Sequence, residues 1–579
     1  MHTSRVLGIF AVFLVSLFLA LVILTGFSQV SAAEQTATGQ AHLFLAPTIA
    51  PNDGPWVVVA YFSNREQVNR VAERIEPWEV NYDQGFMLLE VDKDQYQWLL
   101  ELGLQVVIAQ ELTELLHRPQ FALPEQEAGI PGYPCYRTVE ETYATGQQIA
   151  IDHPGLATWI DIGDSWKKFA FGSDSGHDIM VLRLTNAQVT GSKPKLFILS
   201  SIHAREYAPA ELNTRFAEYL VNNYGTDPDA TWLLDHHEIH LLLNGNPDGR
   251  ERAEAGKYWR KNTDNNYCSD TDSRGADLNR NFEFLWGCCK GSSDRQCDIT
   301  YRGPAPASEP ETQAIQNYVR SIYPDQREDA LSSPAPADAS GVFIDLHSYG
   351  ELVLWPWGFT YDAPPNHEAL RTLGRKFAYF NGYTPEQSIE LYPTDGTTDD
   401  FAYGELGIAG YTFELGTAFF QSCSTFEGDI LSDNLAALLY AAKIVRTPYQ
   451  TPAGPDSMAV NISPKFAVKG QEVILSATID DTHYSGGELT QSIVAAEYYI
   501  DVPPWISSTT PVSFAMSGQD GGFDEPSEPV MASVDTTGLA SGRHILFVRG
   551  LDADGNWGAF TATFLWIEED QVYLPIIVK

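Results

Sequence analysis

Four short apolar runs constrain this 579-residue chain more than any other feature: KLFILSS at 195–201, EIHLLLN at 238–244, GVFIDLH at 341–347 and GYTFELG at 410–416. Runs that are apolar throughout, set between amphipathic helical patterns, are what strands covered on both faces require. One such helix is PAELNTRFAEYLVNNYG, with Pro209 in its first turn, Leu212, Phe216 and Leu220 on one face and Gly225 at its end. Another opens at a Ser308/Glu311 capping box and carries Ile315, Val319 and Ile322. The pattern predicts an α/β domain over 133–448, a mixed sheet covered by helices on both faces. In such sheets the ligand site lies beyond the carboxyl ends of the strands. The four runs end in, or lead directly into, His203, Asn244, His347 and Glu414.

The flanks read differently. Residues 45–115 predict a small α+β domain of β-α-β-α-β type. Its strands are WVVVAYF, FMLLEV and LQVVIA; one helix opens at a Ser63/Glu66 capping box and the other closes at Gly103. It holds no catalytic constellation. A Pro- and Gly-rich linker follows at 116–132, and a second at 449–457. Residues 458–568 predict an immunoglobulin-like antiparallel β-sandwich, from EVILSATID, AAEYYID, HILFVRG and TATFLWI. Within it DADGNWG reads as a glycine-turn hairpin rather than a calcium loop. The tail, 569–579, has no assignable role.

At the N-terminus Arg5 precedes an apolar stretch from Val6 to Leu24, and Val30-Ser31-Ala32 offers small residues suited to cleavage. The expectation is a signal peptide over 1–32; the same stretch is long enough to serve as an anchor, and either way the remainder is exported. A secreted, extracellular or cell-surface chain without stable membrane insertion after cleavage follows. Six cysteines (Cys135, Cys268, Cys288, Cys289, Cys297, Cys423) suit that oxidising setting and permit three disulfides, with the pairing open. The 36 Lys and Arg against 76 Asp and Glu, a net charge of −40, exclude nucleic acid as a partner and oppose anionic membranes. So many carboxylates could hold Ca2+, but no site can be named. The oligomeric state is not legible.

The chemistry begins at SSIHAREYAPAE, where His203 and Glu206 stand three apart at a strand end. Two imidazoles, a carboxylate and an open position make a hydrolytic zinc site. HxxE alone is weak; His347 at another strand end supplies a third ligand, with Asp345 nearby to orient it. NGNPDGRERAEAGKYWRKN, GADLNRNF and YPTDGTTDDFAYGELGIAGYTFELG then follow in order. With these, the chain resembles the zinc carboxypeptidase family, the A- and B-type enzymes and their secreted bacterial relatives, over roughly residues 133–448.

The resemblance implies a single Zn2+ held by His203, Glu206 and His347, and peptide or protein C-termini as partners. It implies Arg260 as the residue that polarises the scissile carbonyl and Glu414 as the general base. Asn279 and Arg280 match the pair that grips the terminal carboxylate. Tyr392 matches the mobile tyrosine that closes over it, with Gly396 as slack in its loop. Arg205 and Tyr349 match residues flanking the next subsite inward. Asp399 falls at the base of the side-chain pocket, where an acid favours C-terminal Arg or Lys; Asp400 is the alternative inward-facing residue, and broad specificity the alternative outcome. The segment 45–115 stands where the family carries a pro-segment, so a zymogen is expected, against a permanent accessory domain. A silent peptide-binding relative, and a deacylase or cell-wall hydrolase, are the rival readings. The intact Glu414 argues against the first and the complete carboxylate reader against the second, although a cell-wall peptide offers the same carboxylate.

Overall fold

A computed structural model of the chain describes residues 54–487, 490–506 and 511–568. The expected signal peptide and C-terminal tail lie outside the described residues. No helix among those described is long and apolar enough to cross a membrane.

The chain first builds a four-stranded antiparallel sheet from β1 (Trp56–Tyr61), β2 (Pro77–Asn81), β3 (Phe86–Val91) and β4 (Gln105–Ile108), in the order β2-β3-β1-β4. Helices Arg65–Ala72 and Lys93–Glu101 complete it, and Val58, Val71, Leu89 and Leu99 fill its core. Three strands are legible from the sequence, but β2 is not. It is an edge strand that opens on a proline and carries Glu79, and proline is tolerated in a sheet at such a place. The Ser63/Glu66 capping box is also replaced. Asn64 is the N-cap and accepts from Gln67 N, while the Gln67 side chain reaches back to Ser63 N.

The four apolar runs become four adjacent parallel strands. The central sheet holds β5 (Ala157–Asp164), β6 (Asp178–Leu184), β7 (Lys195–Ser200), β8 (Glu238–Leu242), β9 (Val342–His347), β10 (Leu352–Trp355), β11 (Thr384–Gln387) and β12 (Ala409–Glu414). Its order is β11-β10-β12-β9-β7-β8-β6-β5. β12, β9, β7 and β8 run parallel, with antiparallel partners outside them. One face is covered by helices Tyr207–Asn223, His367–Asn381 and Leu431–Ile444, through Leu212, Phe216, Phe377 and Leu438. The other is covered by Pro310–Ile322 and Thr398–Leu406, through Ile315, Val319 and Phe401. This double burial is why the strands alone are apolar throughout.

The Ser308/Glu311 capping box does not form. Glu309 is the N-cap and Pro310 takes the first turn. Glu311 instead accepts from Trp166 N at 2.6 Å, because that distant backbone donor is buried and has no other partner to satisfy it.

After the central sheet, Asp456–Ser463, Val473–Asp480 and Ser527–Val534 form one sheet, and Ile493–Ile500, Gly542–Asp552 and Thr561–Ile567 another. Leu475, Ile479, Val548 and Leu565 fill the core between them. Pairing is antiparallel except at Phe466–Ala467, which lies parallel to Thr561–Ile567. DADGNWG forms the expected hairpin, with Asn556 N donating to the Asp552 carboxylate. The cysteines pair as Cys135–Cys423, Cys268–Cys297 and Cys288–Cys289.

Candidate active site

Because β7, β8, β9 and β12 are parallel and adjacent, their carboxyl ends gather at one edge of the sheet. Beyond β7 the chain turns through Ser201, at φ +55°, and enters helix Tyr207–Asn223 with Glu206 as the N-cap. That turn folds His203 and Glu206 onto the same point, with Nδ1 and Oε1 2.9 Å apart. His347, the last residue of β9, brings its Nδ1 to 3.0 Å from that of His203 and 3.2 Å from Glu206 Oε2. All three side chains are buried.

Each imidazole is held from behind by a carboxylate: His203 Nε2 lies 3.1 Å from Asp277 Oδ1, and His347 Nε2 2.9 Å from Asp345 Oδ2. A carboxylate there selects the Nε2–H tautomer, so both Nδ1 lone pairs face inward beside the Glu206 carboxylate. Three acceptors with no donor among them are what a cation requires, and the two-His, one-carboxylate set suits zinc. When the two rings carry protons in place of a cation, their charge outweighs the burial that pushes the Glu206 carboxyl up and holds the group well below the usual carboxylate range.

A cavity of about 50 Å3 adjoins this cluster and is lined by Arg260, Asn279, Arg280, Tyr392, Asp399 and Glu414 along with His203 and His347. Glu414 ends β12 in register with His347. Its carboxylate makes no hydrogen bond among the described residues, and burial pushes its pKa up to about 8. Arg260 is clamped by Asp277, which takes 3.0 Å hydrogen bonds from both Nε and Nη2. Arg280 donates through Nε to Gly291 O and through Nη1 to Asn279 O, and Asn279 Oδ1 accepts from Thr398 N. Asp399 faces the cavity and accepts from Ser388 Oγ at 2.8 Å, whereas Asp400 turns away to accept from Gly358 N. Gly396 is not slack. Its φ is +67°, and a Cβ there would stand 2.6 Å from the Arg280 carbonyl oxygen, so it permits close packing of the two loops.

Arg205 and Tyr349 lie to one side, where Phe419 meets both: the guanidinium is 4.0 Å from its ring centre, and the tyrosine ring meets it edge-on at 4.9 Å. Trp78 of the N-terminal unit meets the same ring edge-on at 5.3 Å. Glu76 is one residue that sequence reasoning missed. It bridges Arg205 and Arg260 with its two carboxylate oxygens and lines the cavity. Tyr392 is buried against the core of the N-terminal unit, and Tyr82 donates to Leu391 O at 2.7 Å. Asp277 was missed as well, although its place two residues before Asn279 in GADLNRNF could have found it; Glu76 had no such signal, since its partners are 129 and 184 positions away.

Residues 142–430 match the sequence profile of the zinc carboxypeptidase family. This chain belongs to the zinc carboxypeptidase family. It is 33% identical over 294 residues to a zinc carboxypeptidase of Saccharothrix mutabilis subsp. capreolus, an alignment spanning 49% of this chain and 62% of that one. Against mast cell carboxypeptidase A of Rattus norvegicus it is 29% identical over 349 residues, 58% of this chain and 77% of the relative. In fold it is similar to the carboxypeptidase A of Helicoverpa armigera, with a TM-score of 0.54 at 22% identity over 69% of this chain and 98% of that one. It is also similar to thrombin activatable fibrinolysis inhibitor, with a TM-score of 0.51 at 22% identity over 68% and 98%. As a carboxypeptidase fold, the mixed sheet carries its candidate site at the carboxyl ends of its central strands.

Proposed function

We propose that the chain is a secreted zinc metallocarboxypeptidase that removes the C-terminal residue of peptides and proteins, preferring Arg and Lys. The observation that carries this reading is convergence. Two Nδ1 atoms and a carboxylate meet with ligand atoms within 4.8 Å of one another, and a carboxylate reader and a free glutamate line the cavity beside them. Zinc in this donor set supplies Lewis acidity and a water acidified toward neutral pH.

The chain's own residues do the rest. Arg280, with Asn279, grips the terminal carboxylate by planar, charge-assisted hydrogen bonds. Tyr392 closes over it. Glu414 takes a proton from the attacking water and delivers it to the leaving amine, and its burial without a hydrogen-bond partner among the described residues leaves its carboxylate free to do so. Arg260 stabilises charge on the carbonyl oxygen, a contact of a kind worth about 3 to 4 kcal/mol. Arg205 and Tyr349 hold the peptide one residue further in. Asp399, facing the cavity while Asp400 is engaged elsewhere, supports selection of a cationic side chain.

The N-terminal unit is read as a pro-segment. Glu76 occupies both Arg205 and Arg260, and Trp78 fills the space over Phe419, so a substrate cannot enter until this unit leaves. The C-terminal two-sheet unit is read as an immunoglobulin-like accessory module, and the three disulfides support export.

The test is a peptide panel ending in Arg, Lys, Leu, Phe or Glu, each with a free or amidated C-terminus, given to protein freed of residues before 133. Chelator-sensitive release from free termini, led by Arg and Lys, is expected. Equal release from amidated peptides would refute the exopeptidase reading.

A further inference from the structure

A second cavity, of about 640 Å3, opens at the junction of the catalytic and C-terminal units, and none of its lining residues belongs to the active site. Its floor is the chain just beyond helix Leu431–Ile444, and its walls are Trp505, Trp557 and Phe560 from the C-terminal unit. Three cations line it. Lys443 is neutralised by Asp229 at 2.6 Å and Arg549 by Glu497 at 2.7 Å. Arg446 has no carboxylate and no hydrogen-bond acceptor among the described residues; its guanidinium lies 4.9 Å from the centre of the Trp505 ring. In a chain with 76 acids and 36 bases, a half-buried arginine without a counter-charge calls for explanation.

Two residues of the lining also hold covered polar atoms without a partner among the described residues, the Trp505 indole N–H and Nδ1 of the fully buried His237, so neither supplies a counter-charge to Arg446. The two backbone carbonyls that precede Arg446 already accept elsewhere: Val445 O from Gly341 N, and Ile444 O from Thr447 N. Burial alone moves the Arg446 pKa, down to about 10, with no acid nearby to raise it. The pocket therefore presents one uncompensated positive charge beside aromatic walls.

We propose that this junction binds a monoanionic organic acid with a planar apolar body, its carboxylate on Arg446 and its body against the aromatic walls. One net positive charge matches one carboxylate, the guanidinium fork matches its two oxygens, and ring faces favour a flat group over an aliphatic one. The volume of the cavity is that of a small-molecule site.

The experiment is isothermal titration of the full chain with 2-naphthoate, its neutral carboxamide and inorganic phosphate, repeated with Arg446→Gln. Saturable one-to-one binding of the acid is expected, weakened at least ten-fold by loss of the carboxylate charge or by Arg446→Gln, with phosphate a poor competitor. Peptide hydrolysis by activated Arg446→Gln should match wild type, which shows that the variant is folded. No saturable binding at millimolar acid, or unchanged binding in Arg446→Gln, would overturn the proposal. Carboxamide binding equal to the acid would overturn the role of charge, and phosphate competing equally would overturn that of the planar body.

Discussion

Replacing Glu76 with alanine in the uncleaved chain tests the blocking role of the N-terminal unit directly. The Glu76 side chain is 11% exposed and its partners Arg205 and Arg260 are each 1% exposed, so solvent screens these contacts little. A hydrogen bond to a charged group contributes about 1.5 to 3 kcal/mol, so the two together hold the unit in place by about 3 to 6 kcal/mol. Both arginines keep another carboxylate, Glu90 at 3.4 Å and Asp277 at 3.0 Å, which limits the loss to the lower end. Other docking contacts survive, among them Arg74–Asp298 at 2.9 Å and Tyr82 on Leu391. A loss of about 3 kcal/mol raises the fraction of open molecules roughly a hundred-fold. Release of C-terminal arginine from a short peptide by intact Glu76→Ala protein should therefore exceed that of intact wild type by about two orders of magnitude. Electrophoresis of the same samples excludes proteolytic activation. A rate within two-fold of wild type would refute the argument, as would intact wild type already at the rate of the trimmed enzyme.

Asp399→Ala should cut kcat/KM for Arg-ending peptides by at least about 30-fold while sparing Leu-ending ones, since losing one partner of a buried charge pair costs 2 kcal/mol or more. Glu311 is the second case: burial first, then the neighbouring Glu309, pushes its carboxyl from 4.5 to about 8. Between those values the folded state holds a proton that the unfolded state has released, so stability falls as pH rises, and Glu311→Gln should flatten urea-unfolding midpoints from pH 5 to 8. Gly396→Ala should raise KM for free-terminus peptides with a smaller change in kcat, because the added Cβ meets the Arg280 carbonyl rather than the reacting atoms. Steady-state kinetics separates the two.

The parts of this fold that could be read from the sequence are those whose cause is local. β7, β8, β9 and β12 announce themselves because double burial makes most positions apolar, and the polar residues at and after their ends stand out against that background. Ser63 and Ser308 satisfy a capping rule, but Asn64 and Glu309 take the position, the latter because Glu311 is drawn to Trp166 N, 145 residues away. The chemistry of His203, Glu206, His347 and Glu414 was visible as spacing and motif. Glu76 was invisible, because nothing near it in the chain hints at the two guanidinium groups it meets.

The disulfides divide the molecule unevenly. The first cysteine is Cys135, so no covalent bridge ties residues 54–134 to anything beyond, while Cys135–Cys423 closes a loop of 288 positions around the entire central sheet. One cut in the linker at 116–132 would leave the N-terminal unit held by contacts alone, free to depart by dilution. A cut almost anywhere inside the loop would leave both pieces stapled together. No bridge ties the residues beyond Cys423 either, so a protease acting blindly on this surface can wash away only the two ends, and the N-terminal one is the segment that covers the active site.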